Sequence, residues 1–504
     1  MKVLHTFLVV SVCLLLIPGC AGKGSDNGGG GGGTVTTDNP VPVLTSITPG
    51  AALLNQPEFT LTARGSDFVS GAKIIFRGSE LDTTWVSASE LTALVTEALT
   101  APASMDSPQL AVEVRVRNPS PGGGDSQSLT FQLNKNPVFG APEIISGGDE
   151  AYWNGLTCDG DGKLYAWYTD NDSDPWDNDA KADVKVTRSD DYGDSWSSPY
   201  TATLAGCSIW PQMACDSSGQ VILALQNAEN GGIYFKKSSN HGQNWTGGVR
   251  VDSGQWTYQD TGSPPIIAAT ESGYIHMAFI RIFDMSRSSD FYARSIDGGA
   301  HWKRTMVGPE QQANTPVLAA RDADVYILYP EHNPWDPSLR NDYRCFFQRS
   351  PDEGSTWQAA KQLSSGRGVS HFPSMDLAAG PEGLVAAAWV WGDALVRVRT
   401  SGDYGATWRA EKGFVANTGG EPAALNLHYD ALGNLLIVWV EDGMIYFRRS
   451  MDNGATWSVP VAVRSQIVNP DSRVPLGLEV TESGCILVTW VKNRTLYLSR
   501  GTAE

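Results

Sequence analysis

The side chains of this sequence that could do chemistry recur. A turn of the form Ser-x-Asp-x-Gly-x-Ser/Thr-Trp begins at Ser189, Ser238, Ser295, Ser350, Ser401 and Ser450, and it brings up Asp191, Asn240, Asp297, Asp352, Asp403 and Asp452 in turn. Regularly spaced carboxylates raise two possibilities, acid–base work and oxygen ligands for a cation. Their neighbours favour a third. A carboxylate in such a turn can accept the turn's own backbone N–H groups, Gly takes φ > 0 without penalty, and a terminal Trp buries a large face. Asn240 stands in the acidic place of the second copy, a change that a turn tolerates. These groups are therefore expected to be structural.

Asp170, Asp172 and Asp174 alternate as in a calcium loop, but that loop needs Gly sixth and Glu twelfth, where Pro175 and Lys181 stand. A hydrated acidic loop is expected, with no metal ligands. No Cys/His spacing suggests zinc, and no cofactor is implied. A different group suits recognition of a ligand. Trp153, Trp210, Trp256, Tyr258 and His371 stand near the starts of successive segments with Arg367 and Arg473, while Trp176, Arg281 and Trp335 lie in or near loops. Aromatic platforms beside Arg and carboxylates fit a sugar or a peptide. The competing role for each is to plug a channel or pack between sheets.

The elements that must position these groups follow from the repeat. Turn starts lie about 50 residues apart, the length of one four-stranded propeller blade. A short strand precedes each turn, as in Gly232-Ile-Tyr-Phe-Lys-Lys and Met444-Ile-Tyr-Phe-Arg-Arg. This turn resembles the Asp-box, or BNR, repeat of sialidase-like β-propellers, in which it is a structural hairpin on the face away from the active site. A second repeat sets the count: Trp210-Pro211, Pro264-Pro265, Thr315-Pro316, Phe372-Pro373, Glu421-Pro422 and Val474-Pro475 each precede a first strand, and Trp153-Asn154-Gly155 opens a further unit without Pro. Seven blades are predicted over 137–504, six being the alternative if one unit belongs elsewhere. The last unit lacks a box and a fourth strand, which Pro142-Glu-Ile-Ile-Ser is expected to supply, closing the ring from its N-terminal side.

Upstream, 39–134 shows short alternating strands such as Phe59-Thr-Leu-Thr-Ala-Arg and Ala111-Val-Glu-Val-Arg-Val-Arg, the pattern of a β-sandwich. Ile47-Thr48-Pro49-Gly50, Gly65-Ser66-Asp67-Phe68, Ile75-Phe76-Arg77-Gly78 and Asn118-Pro119 resemble the IPT/TIG immunoglobulin-like family, whose domains are spacers or interaction modules. The fold class is thus all-β, an immunoglobulin-like sandwich followed by a propeller. Residues 20–38 are Gly-rich and read as a flexible tether. Residues 1–19 read as a signal peptide, since the apolar run Leu4–Ile17 is too short to span a bilayer. Leu16-Ile17-Pro18-Gly19-Cys20 resembles a bacterial lipobox, which implies acylation of Cys20 and, with Ala21 after it, an outer-membrane or cell-surface location. Of the later cysteines, Cys158 and Cys215 are expected to be small buried apolar residues.

The chain has 55 acidic and 37 basic residues, a net charge of −18. Nucleic-acid binding needs a basic surface, so it is excluded as a function class. The resemblance suggests a sialidase, yet the Arg-Ile/Leu-Pro expected at the first blade is replaced by Tyr152-Trp153-Asn154-Gly155. Architecture is carried over, and catalytic residues are not. The preferred expectation is a lipid-anchored binder of a glycan or protein, without catalysis. The alternatives are a glycoside hydrolase or lyase acting on extracellular polysaccharide, and an assembly factor.

Overall fold

The computed structural model describes residues 38–56, 58–101, 109–159, 161–171, 182–203, 208–216, 218–227, 230–252, 264–284, 287–308, 315–332, 343–364, 375–391, 395–415, 422–464, 475–481 and 484–502. Cys20 and the tether up to residue 37 lie outside them. Among the described residues no helix is long and apolar enough to cross a membrane.

Seven antiparallel sheets, counted among the described residues, follow one another from Asn154 to Thr502. Blade 1 runs through Asn154–Cys158, Leu164–Asn171, Ala182–Ser189 and Tyr200–Thr201. The first strands of blades 2 to 7 are Ser208–Cys215, Ile266–Ala269, Val317–Arg321, Met375–Ala379, Pro422–Tyr429 and Gly477–Val480. Each lies against the first strand of the next blade, and that of blade 7 lies against that of blade 1. The ring is therefore closed with seven blades, and the six-bladed alternative is set aside.

Second strands show why each blade needs two neighbours. Val221–Leu225 and Leu435–Trp439 are buried along their length, so they read as unbroken apolar runs covered on both faces; Ile486–Trp490 is equally buried, with Thr489 its one polar member. Blade 7 is completed by Val138–Phe139 and Glu143–Ile144, both antiparallel to the final strand Thr495–Thr502. The closing segment thus comes from the predicted place and begins four residues earlier, at Val138. Arg500 fastens it through ion pairs to Glu143 at 2.7 Å and to Asp194 of the first box.

All six boxes have one geometry. The Ser Oγ accepts the Gly N–H at 2.7–2.9 Å. The Asp or Asn Oδ1 accepts the backbone N–H of the residue four positions after it, at 2.8–2.9 Å. These bonds hold Asp191 and Asp403 down to about 2, with the side-chain hydroxyls of Ser195 and Thr407 as the leading causes. The box tryptophans then reach back to the preceding blade. Trp302 meets Phe235 at 5.4 Å between ring centroids, Trp357 meets Tyr292 at 4.8 Å and Trp408 meets Phe347 at 4.9 Å. The boxes are inter-blade staples.

Residues 43–134 form a sandwich of two sheets. One orders Val43–Thr48, Phe59–Ser66, Glu90–Val95 and Thr83–Ser87, and the other is built around Gln109–Asn118 between Leu129–Asn134 and Lys73–Phe76. Phe131 centres the core, 5.8 Å from Phe59 and 5.1 Å from Phe76. The amide of Asn118 clasps two segments, donating to Pro40 and to Asp67 and accepting from Val69 of the same loop as Asp67. The sandwich touches the sixth box, where Gln56 Nε2 donates to Thr456 Oγ1 at 2.6 Å.

The cysteines depart from expectation. Cys158 and Cys215 are half-buried, not buried, and Cys158 donates to a carboxylate, Glu479, at 3.5 Å. Both still pack against apolar clusters between blades, Cys158 on that of Leu156 and Leu164 and Cys215 on that of Met213 and Val221.

A glycine comparison tests the staple. A Cβ at Gly299 (φ +90°) would lie 2.0 Å from the Phe235 ring, whereas at Gly242 (φ +80°) it would meet Val186 at an ordinary 3.5 Å. Gly242→Ala should cost about 1–2 kcal/mol from left-handed backbone alone. Gly299→Ala should cost about 1–3 kcal/mol more by overpacking, read from urea unfolding midpoints; equal losses would show that the box glycines do not press on the preceding blade.

Candidate functional site

Functional side chains were expected at the end of the ring opposite the boxes. Trp153 and Trp210, leading into blades 1 and 2, meet edge to face there with centroids 4.6 Å apart and planes at 89°. Trp153 is half-buried and Trp210 only 5% exposed. Trp210 sits at φ +54° where the pairing shifts between Ile209 and Gln212. Pro211 cannot donate to the ladder, and the bulge accommodates it. Trp210 is thus a packing residue, and Trp153 alone of the pair offers surface. Arg281, on the second strand of blade 3, stands 5.8 Å over the Phe291 ring. Asp170 pairs with Lys185 at 3.4 Å, while Asp172 and Asp174 lie outside the described residues. So do Trp176, Trp256, Tyr258, Trp335, Arg367, His371 and Arg473.

The innermost strands of blades 1, 2, 5, 6 and 7 line a cavity of about 240 Å³. Its polar wall comprises Asn154, Gln212, Asp376, Asn426, His428 and Glu479, with Trp167 behind Gly155. A Cβ at Gly155 would lie 2.1 Å from Trp167, so only glycine lets the indole come this close to the channel. Trp167 is 3% exposed, and its Nε1–H has no partner among the described residues.

Some of this wall holds the ring together. Asp376 accepts the N–H of Leu377 at 2.8 Å and that of Leu427, in blade 6, at 2.6 Å. Asn426 donates to the Leu476 carbonyl at 3.1 Å, and Asn154 donates to the Pro475 carbonyl at 2.7 Å. These are ties from one first strand to the next. Glu479 is different, because it accepts a weak bond from the Cys158 thiol and lies 3.9 Å from His428 Nδ1.

Burial pushes the Asp376 carboxyl up to about 7, although both backbone N–H bonds act to lower it. Burial also raises Glu479, against the opposing pull of His428. The neighbouring negative charge of Glu479, then burial, raises the Cys158 thiol well above its ordinary range. A carboxyl that keeps its proton close to neutral pH, as Asp376 does, can donate as well as accept hydrogen bonds.

The sequence reading missed Asp376, Asn426, His428, Glu479, Gln212 and Trp167. A signal existed in part: Pro373, Pro422 and Pro475 are each followed within four residues by a polar side chain in an apolar strand, namely Asp376, Asn426 and Glu479.

Neither a family model nor a curated protein sequence matches this chain. Similar solved structures include an α-L-arabinanase of Penicillium chrysogenum at 14% identity, covering 58% of this chain and 92% of that one, with a TM-score of 0.41. A protein of unknown function from Dyadobacter fermentans is 16% identical, with 65% and 98% covered and a TM-score of 0.43. The NanB sialidase from Streptococcus pneumoniae is 13% identical, with 87% and 83% covered and a TM-score of 0.40. Likenesses this distant say nothing of activity.

The raised Asp376 carboxyl makes stability depend on pH. Between 3.8 and about 7 the folded chain holds a proton there that the unfolded chain has lost, so stability falls as pH rises through that window. Asp376→Asn should flatten this part of the profile and unfold more easily at pH 5 than the unaltered chain. Urea midpoints across the window check it; an unchanged slope in the variant would count against a protonated Asp376.

Proposed function

We propose that this chain is a lipid-anchored binding protein that takes a glycan at the central channel of its propeller without hydrolysing it. The observation that carries this reading is the cavity wall, where amides, carboxyls and an imidazole line one space. Such mixed donors and acceptors complement the hydroxyls of a sugar. Absence of catalysis is argued from the ties: both oxygens of Asp376 hold backbone N–H groups, whereas glycoside hydrolysis needs two carboxyls facing the scissile bond. One observation favours the alternative, a glycoside hydrolase or lyase. Glu479, whose proton affinity burial raises at the wall, would suit a general acid.

A glycan array probed with the chain, run beside a fluorogenic sialoside assay, separates these. Binding without turnover is expected, and Gln212→Ala, at the half-buried amide of the wall, should weaken it about tenfold by removing one hydrogen bond of roughly 1.4 kcal/mol. Turnover abolished by Glu479→Gln would overturn the reading. Anchoring through Cys20 has its own check. Labelled palmitate should enter the protein in its bacterial host and be lost in Cys20→Ser; equal labelling of the variant would exclude this cysteine as the acylated residue.

A further inference from the structure

The residue before the box glycine reaches back to the preceding blade, and its chemistry changes from joint to joint. Between blades 5 and 6 it is Asn453, whose Oδ1 accepts from the Tyr429 hydroxyl at 2.6 Å. Between blades 3 and 4 it is Glu353, whose carboxylate accepts from Thr270 Oγ1 at 2.8 Å and Ser272 Oγ at 2.7 Å. Behind Glu353 lies His276, fully buried on the second strand of blade 3, Ile275–Asp284. Its Nδ1 is 2.7 Å from the Tyr292 hydroxyl on the third strand, and its Nε2 is 3.4 Å from Glu353 Oε2.

These contacts assign the hydrogens. An ionised carboxylate only accepts, so Nε2 carries the imidazole hydrogen and Nδ1 accepts from Tyr292. Burial raises Tyr292, which keeps its hydroxyl a donor. A second proton on His276 must therefore enter at Nδ1, where Tyr292 already donates. Tyr292 would have to turn its hydrogen away, and no other partner for it stands among the described residues. An unmade bond of that kind is costly when buried. The ring has little room to move, because it packs on Trp357 and a Cβ at Gly354 would collide with its hydroxyl. Two charged groups face the imidazole, Glu353 from the fourth box and Arg294, paired with His276 across the sheet. Burial lowers the His276 pKa; Glu353 opposes this and Arg294 adds to it.

We propose that the contact of His276, Tyr292 and Glu353 is an acid-sensitive joint. A proton on His276 breaks the Tyr292 bond and loosens the fourth box from blade 3, while the Asn453 joint holds. The sign follows from the lowered pKa. Stability from this group is full above its unfolded value of 6.5 and is lost as pH falls from there towards the folded value. Asp376 acts in the opposite direction, so a global unfolding curve mixes the two and the joint must be read locally.

Hydrogen exchange of the full chain, read by mass spectrometry at about pH 7.5 and about pH 5.5 and corrected for the intrinsic pH dependence of exchange, tests this. Peptides covering 275–295 and 350–358 should lose protection severalfold in acid, with a ceiling of about tenfold per pH unit for one proton. Peptides covering 423–430 and 450–458 should not. His276→Gln, whose amide does not titrate, should remove the acid effect. Glu353→Gln removes the pull towards protonation, so the loss should begin at lower pH than in the unaltered chain. Equal loss at both joints, an acid effect undiminished in His276→Gln, or an unmoved onset in Glu353→Gln overturns the proposal. Should either variant fail to fold by circular dichroism, the comparison of the two joints in the unaltered chain decides the matter.

Discussion

A sheet whose middle strand is apolar on both faces cannot stand alone in water, and this chain contains such a strand in blade after blade. Val221–Leu225 and Leu435–Trp439 each need a neighbouring sheet on either side. Only a closed ring meets that requirement for the first and last blades too. The join at Val138–Phe139, Glu143–Ile144 and Thr495–Thr502 is therefore where the architecture is completed. Arg500, ion-paired to the closing segment and to the first box, ties the two ends of the ring together.

The same requirement explains the boxes. A turn that satisfies its own polar groups with a serine and a carboxylate leaves its tryptophan free to pack, and the tryptophan packs backwards on the preceding blade. The carboxylates are consumed in doing so. Asp191 and Asp403 are held ionised by bonds within their own turns, which makes them poor candidates for proton transfer near neutral pH.

At the centre, the demands of the ring and of a ligand compete. Asp376, Asn426 and Asn154 spend bonding capacity on ties between neighbouring first strands. Glu479 meets the Cys158 thiol, the His428 imidazole and the N–H of Val480. Polar groups already committed to backbone partners gain little from a ligand.

Turn chemistry is local, and so the boxes, the blade count and the N-terminal side of the closure were legible in the sequence. Eight contiguous residues contain everything a box needs, and Asn240 showed in advance that its acid was dispensable as an acid. The strand pattern of the sandwich was legible for the same reason. The cavity was not. Asn154 and Glu479 are separated by most of the propeller, and each first strand contributes one or two polar side chains that look like isolated interruptions of an apolar run. Ring closure alone brings them to one wall. Trp210 shows the converse, since its type suggested a ligand platform and the bulge before Gln212 turned it into packing. The sequence by itself determined which turns and strands form, because hydrogen bonds within a few residues decide them. Tertiary structure alone decided which polar groups share a space, because that depends on how seven sheets meet around an axis.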